Sequence, residues 1–187
     1  MSGARADGIA PRDGPRGVAV DGQGRYLFTA GRAGAWNALM NKPLTPNATY
    51  EETVTGYEYT TDELGRVLQA RGELLYRSGE RNTHQQRVAG RPDRLPSDDG
   101  GHYFATVFNG PGEAINLTPM DANLNRGAWK RMENTWVEAL KRGRRVEVAI
   151  DVEYVDHVRR PARFSVIYQI DNEPFAFRSF VNRPGGE

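Results

Sequence analysis

The 187-residue sequence contains no cysteine, so it can build neither a disulfide framework nor a thiolate-ligated zinc site, and its fold has to rest on its core. No apolar run approaches the ~18 consecutive residues that a bilayer-spanning helix needs, and Met1 to Arg25 lacks the apolar stretch of a secretory signal, so the chain reads as soluble. Only three histidines are present, His84, His102 and His157, and no pair has the His-x-x-x-His spacing of a helical metal site. There is no Gly-x-x-x-x-Gly-Lys-Ser/Thr phosphate loop and no Gly-x-Ser-x-Gly elbow, which weighs against NTPase and serine hydrolase chemistry. Large charge of either sign is absent too. A net +1 with 26% charged residues argues, as an average, against a strongly basic nucleic-acid binder.

What is present suits one α+β domain. Residues 1 to 25 are rich in Gly and Pro among scattered Arg and Asp, bury too little to offset their ordering entropy, and read as a flexible lead or linker. A short strand is expected at Tyr26, Leu27 and Phe28. Tyr57 and Tyr59, a turn around Asp62 and Gly65, and Val67 to Leu75 predict a hairpin. Arg77 to Asp99 is polar and reads as a loop, and Tyr103 to Phe108 as a strand closed by Asn109-Gly110-Pro111-Gly112. Trp129, Met132, Trp136 and Leu140 share one face at a 3.6-residue period, which predicts a helix from about 126 to 142, stopped by Gly143. Val146 to Tyr154 and Phe164 to Ile170 alternate at period two, Asp171-Asn172 is a turn, and Phe175 and Phe177 begin a third strand. The C-terminal third is expected to be an antiparallel sheet with the helix on one face.

Two clusters carry candidate chemistry. His84 and His157 stand in polar, Arg-flanked stretches and are expected at the surface. His102 follows Asp98-Asp99-Gly100-Gly101, where glycines allow a sharp backbone path and two carboxylates stand near; that context alone leaves it open between a structural and a catalytic histidine. Asn116 precedes Leu117-Thr118-Pro119. Asn125, Trp129 and Glu133 fall at i, i+4 and i+8, within about 80° of helical arc; Asn123 or Asn125 could equally be an N-cap and Glu133 an exposed carboxylate. From Asn125 to Arg145, seven basic residues stand against Glu133 and Glu138, a local net of +5. Such a helix either grips phosphates without reading bases or is a solvated face with cations near its C-terminal dipole. Asp151 and Glu153 resemble paired acidic metal ligands, but Val155 stands where that pattern needs a lysine, so they read as a solvated strand face.

The order Asp-Asp-Gly-Gly-His, then Asn-Gly-Pro-Gly-Glu-Ala-x-Asn-Leu-x-Pro, then Asn-Leu-Asn-Arg-Gly-Ala-Trp-Lys-x-x-Glu resembles the DNA/RNA non-specific endonucleases with a ββα-metal (His-Me finger) core. It looks most like the branch found as C-terminal toxin domains of bacterial polymorphic or secretion-system toxins. The resemblance is specific from Asp98 to about Arg145, looser from about Lys42 to Val181, and absent from residues 1 to 40, which are assigned as an extension or linker to a domain at 41–187. It implies His102 as general base, Asn125 as metal ligand, Glu133 as the carboxylate holding a metal-bound water, and Asn116 as a supporting residue of the catalytic set. One departure stands out: the family's arginine two residues before the histidine is Gly100 here. Arg126, Lys130 and Arg131 are the nearest candidates to hold the phosphate instead.

The implied activity is metal-dependent, sequence-tolerant phosphodiester hydrolysis of DNA, with RNA as an alternative substrate, using Mg²⁺ or Mn²⁺ and leaving 5′-phosphate and 3′-hydroxyl ends. Neutral imidazole suits proton abstraction near pH 7, and Mg²⁺ tolerates few protein ligands. The resemblance also implies a secreted or delivered effector that acts in the target-cell cytoplasm. In the producing cell it would be held by a cognate immunity protein, with acidic surface facing the helix from Asn125 to Arg145. Neither a membrane nor a small-molecule cofactor is expected. The competing reading is a catalytically decayed nucleic-acid-binding or interaction module in which Gly100 marks the loss.

Overall fold

The computed structural model describes residues 18–187. In chain order the strands are β1 (Ala19–Val20), β2 (Tyr26–Phe28), β3 (Thr49–Glu52), β4 (Glu58–Thr61) and β5 (Val67–Glu73), followed by helix α1 (Thr83–Val88). Then come β6 (Asp98–His102), β7 (Leu117–Asp121), α2 (Ala122–Arg126) and α3 (Ala128–Lys141), and finally β8 (Val146–Glu153), β9 (Arg163–Ile170) and β10 (Ala176–Val181). Eight strands form one sheet in the order β1-β2-β3-β4-β5-β8-β9-β10, antiparallel except for the parallel β2/β3 pair. The other two, β6 and β7, form a separate hairpin in which Asp98 faces Asp121 and His102 faces Leu117. With α2 and α3 following directly, the hairpin makes a ββα unit.

Alternation places Val146, Val148, Ile150 and Val152 of β8 in the core and leaves Glu147, Asp151 and Glu153 outside. Asp151 and Glu153 therefore stand on the solvated face, as their sequence context implies. On α3, Trp129 packs edge-on against Phe164 and Phe180, and Trp136 against Tyr168. Burial of these large rings fixes the helix over β8–β10 and sets the direction of its remaining faces.

Four expectations change. Tyr103 to Phe108 is not a strand but an irregular turn with Tyr103, Phe104 and Phe108 in the core, because a short apolar run does not by its pattern distinguish a strand from a coil packed in the core. The polar stretch from Arg77 to Asp99 contains α1, capped by the Asn82 side chain accepting from the Gln85 N–H at 3.1 Å. The predicted helix is α3, and a short helix that the sequence did not predict, α2, precedes it, the two separated at Gly127, where a Cβ would lie 2.6 Å from the Asn123 carbonyl oxygen. The first of them is capped by Asp121, which accepts from the N–H groups of Asn123 and Leu124, rather than by Asn123 or Asn125. Finally, residues 18–40 are part of the domain. Here β1 and β2 extend the sheet, Phe28 and Met40 are in the core, and Glu113 accepts from the Gly31 and Asn37 N–H groups at 2.6 and 2.8 Å. The rest of the 1–40 extension, residues 1–17, lies outside the described residues.

Candidate active site

The ββα unit and α1 enclose an open cleft of about 840 Å³. His102 comes from the end of β6, Asn125 from α2 and Glu133 from α3, and all three line it. Asp99, Arg126 and Lys130 join them, with Arg81, Thr83, Gln86 and Arg87 supplying the opposite wall. Residues far apart in the chain thus converge because the hairpin ends at His102 while the helices turn back beside it.

Gly100 and Gly101 are explained by this packing. A Cβ at Gly100 would lie 2.3 Å from the Gln86 carbonyl oxygen, and one at Gly101 would lie 3.0 Å from the Met120 Cβ and 3.4 Å from Asn125 Oδ1. The backbone of α1 therefore occupies the space in which a side chain at residue 100 would begin, so the arginine of the family's motif has no room. Gly100→Ala is expected to cost about 1–3 kcal/mol through overpacking, read by chemical denaturation. Gly100→Arg is expected to be at least as destabilising, and an unchanged midpoint in both would refute this account of the close approach.

The polar side chains are oriented by a small network. The Asp99 carboxylate accepts from Arg126 Nε and Nη2 at 2.9 and 2.7 Å and from Asn125 Nδ2 at 2.9 Å. A carboxylate accepts only, so it fixes which end of the Asn125 amide faces it and leaves Oδ1 over Gly101. Burial pushes the Asp99 carboxyl up, but the hydrogen bonds from Arg126 and Asn125 outweigh it and hold the group below its ordinary range. The next acid back, Asp98, is buried and pairs in two-pronged fashion with Arg160 at 2.8 and 2.9 Å, tying the start of β6 to the β8–β9 loop.

His102 is half-buried, and its Nε2 is shut from solvent with no hydrogen-bond partner. Burial, helped by the positive charge of Arg81, lowers its pKa from 6.5 to about 4, so the ring is neutral at pH 7 and able to accept a proton. Glu133 is buried, which raises its carboxyl to about 7 against the opposing charges of Lys130 and Arg81. One wall thus holds a neutral base and a carboxyl poised to ionise, facing cations.

The other expected residues divide. Asn116 does not reach the cleft. It is fully buried, with Oδ1 accepting from the Tyr59 hydroxyl and the Phe104 N–H, each at 3.0 Å, and Nδ2 donating to the carbonyls of Phe104 and Pro111 at 2.8 and 2.9 Å. It holds the turn that follows His102. Arg126 lines the cleft but is committed to Asp99, Lys130 lines it without an ion pair among the described residues, and Arg131 lies outside it. His84 and His157 are exposed, as expected. The residue that sequence spacing did not single out is Arg81. It stands just before α1, lines the cleft without an ion pair among the described residues, and its charge acts on both His102 and Glu133. Its only sequence signal was its place in an Arg-rich polar stretch.

The +5 segment also looks different in three dimensions. Arg144 pairs with Asp171 and Glu173, Arg145 with Glu73 and Glu147, and Lys141 with Glu138. Acids from other elements neutralise the C-terminal end of that segment; in the cleft, Arg94 is held by backbone carbonyls, and the cations with neither an ion pair nor a side-chain hydrogen bond among the described residues are Lys130, Arg81 and Arg87.

Residues 46–172 match the family described as DNA/RNA non-specific endonuclease. Over 142 residues the chain is 38% identical to the Type VII secretion system protein EssD of Staphylococcus aureus strain USA300, covering 72% of this chain and 23% of that protein. The EssD proteins of strains NCTC 8325 / PS 47 and Newman match to the same extent. The chain thus spans less than a quarter of the length of these curated relatives. The fold is similar to that in the crystal structure of NucA from Streptococcus agalactiae with magnesium ion bound, with a TM-score of 0.55 at 12% identity over 78% of this chain and 77% of that one.

Proposed function

Because this chain belongs to the DNA/RNA non-specific endonuclease family, we propose that it hydrolyses phosphodiester bonds of DNA, and of RNA as a second substrate, without reading sequence. The observation that carries the reading is the convergence of His102, Asn125 and Glu133 on one open cleft with cations on both walls. Neutral His102 takes the proton of the attacking water. Its unpartnered Nε2 and half-buried ring leave the imidazole without a competing hydrogen bond that would spend its basicity.

The donor set fits a hard divalent cation, Mg²⁺ or Mn²⁺. Asn125 Oδ1 is left free by the Asp99 contact, and the Glu133 carboxyl lies in the same cleft; Mg²⁺ needs few protein oxygens because it keeps several waters. NucA was crystallised with magnesium bound, which supports that choice. When bound, the cation would neutralise charge gathering on the phosphate and the departing oxygen. Asn125 and Glu133 would hold it, Asp99 would keep Asn125 in register, and Lys130 would offset negative charge near Glu133.

Arg81 takes the place of the missing motif arginine as the group that holds the phosphate. Arg81→Ala is expected to lower kcat/KM about 100-fold, the size of losing one fixed charge or donor at a reacting centre, with Arg81→Lys recovering part of it. Wild-type kinetics in Arg81→Ala would remove this role. The reaction itself is tested with supercoiled plasmid and with RNA, in Mg²⁺ and in EDTA. Cation-dependent cleavage is expected; no hydrolysis with Mg²⁺ or Mn²⁺ would overturn the assignment in favour of a binding module.

The likeness to EssD, a Type VII secretion system protein, supports a link to secretion, and we infer an effector that acts in the cytoplasm of a target cell. A cell making such an enzyme requires an immunity protein, and the chemistry that would block this cleft is an acidic surface set against Arg81, Arg87 and Lys130.

A further inference from the structure

Behind α1 lies a second cavity, of about 260 Å³, opening on the opposite side of that helix from the cleft. The six-residue helix is the partition: Thr83, Gln86 and Arg87, at i, i+3 and i+4, face the cleft, while Gln85 and Val88 face the second cavity. Its floor is apolar and aromatic, including Tyr103, Tyr154 and Leu117, with the Tyr154 hydroxyl already donating to the Val67 carbonyl at 2.7 Å. No acidic residue lines it, while Lys42, Arg91 and Arg159 do, and these three side chains make no ion pair or hydrogen bond among the described residues. The fourth cation in its lining, Arg66, is used up internally. It pairs with Asp62 at 2.7 Å and donates to the carbonyls of Asp156 and Val158 at 2.8 and 2.9 Å.

Those internal bonds matter because they hold the β8–β9 loop where it is. Arg66 grips the loop from below, Arg160 pairs with Asp98, and Asp93 accepts from the Arg159 N–H at 2.6 Å. Three independent anchors thus bring Arg159 across to Lys42 and Arg91, which come from the chain before β3 and the turn after α1. Cations drawn together from three segments, over a floor on which a flat apolar ring can rest, and with no carboxylate to neutralise them, suit an anion that carries bases.

We propose that this cavity is a second nucleic-acid site, in which Lys42, Arg91 and Arg159 hold backbone phosphates of the strand that extends beyond the cleft. The inference rests on the nuclease reading for its choice of anion. A helix with its side chains is about 10–12 Å across, and a stacked strand advances about 3.4 Å per nucleotide along its axis, so a strand crosses α1 in roughly three nucleotides. The site therefore acts only on substrates longer than that. It lengthens the electrostatic footprint without adding base recognition.

The test is the triple variant Lys42→Gln/Arg91→Gln/Arg159→Gln, all at exposed positions, with Arg159→Glu alone as a second, milder change. Binding of an unstructured 20-nucleotide single-stranded DNA is followed by fluorescence anisotropy in EDTA, where nothing turns over. The triple variant is expected to bind roughly 10- to 30-fold more weakly at low salt, with the slope of log affinity against log salt reduced by about 2, as three lost phosphate contacts on a single strand imply. Hydrolysis of a dinucleotide in Mg²⁺ is expected to be unchanged. Affinity for the 20-mer within twofold of wild type, with the same salt slope, overturns the proposal, as does an equal loss on the dinucleotide. Displacement of the 20-mer by micromolar mononucleotide also counts against it, since that marks a pocket for free nucleotides. Absence of hydrolysis in the wild type would sink the nuclease reading instead, and the EDTA binding measurement would still decide the second site.

Discussion

His102→Ala is expected to lower the rate of DNA cleavage between about 100- and 10,000-fold, the range for removing a positioned general base, while leaving binding of a 20-mer in EDTA nearly unchanged. The side chain sits at the end of a paired strand and its Nε2 makes no hydrogen bond in the fold, so little structure depends on it. Its burial also predicts a measurable acid sensitivity. The group ionises at about 4 in the folded protein against 6.5 ordinarily. Between those values the unfolded chain takes up the proton more readily, so the histidine weakens the fold as pH falls from 7 toward 4. At pH 4.5 this amounts to about 2 kcal/mol by the usual conversion. Urea unfolding of wild type and His102→Gln at pH 7 and pH 4.5 should show the gap between them shifting by that amount in favour of the variant. A gap independent of pH would mean that the ring is already solvated, and full activity in His102→Ala would end its role as base.

Asn116→Ala is expected to act through stability rather than chemistry, at a cost of roughly 3–5 kcal/mol, because truncation strands two buried donors and two buried carbonyls at once. The groups left without partners are the Tyr59 hydroxyl, the Phe104 N–H and the carbonyls of Phe104 and Pro111. Thermal melting reads the loss directly. The distinguishing measurement is kcat at a temperature well below the lowered midpoint: a supporting residue leaves most of it, whereas a group touching substrate would not. A variant with wild-type melting and a 1,000-fold slower rate would place Asn116 in the chemistry after all.

The contrast between these two residues shows how far the sequence could be read. Both belong to motifs with matching spacing, and both are polar residues beside turns, yet one opens onto a cleft and the other is sealed in the core. Periodicity located the C-terminal strands and the face of α3 because burial repeats there at the period of the element itself. It failed for Tyr103 to Phe108, where every residue of the run is inside or partly inside and Asn116 bonds the backbone into a turn. It passed over α1, a short helix with no buried residue of its own, whose position nevertheless forms one wall of the cleft and crowds any side chain at Gly100.

Charge followed the same division. Counting along the chain located a basic segment from Asn125 to Arg145, but ion pairing is a contact between distant elements, and Glu73, Glu147, Asp171 and Glu173 cancel its far end. Of the cations left to meet a phosphate, Arg81 and Lys130 lie 49 positions apart in the sequence. From the sequence alone followed the absence of thiolate chemistry, the α+β class, and the helix and strands of the C-terminal half, while resemblance to the family singled out His102, Asn125 and Glu133 as candidates. Only the tertiary structure decided which side chains share the cleft, which charges remain unpaired there, and why residue 100 is glycine. Those depend on Coulomb attraction and steric exclusion between segments brought together by packing of the core, and both forces act on distance in space, which separation along the chain does not set.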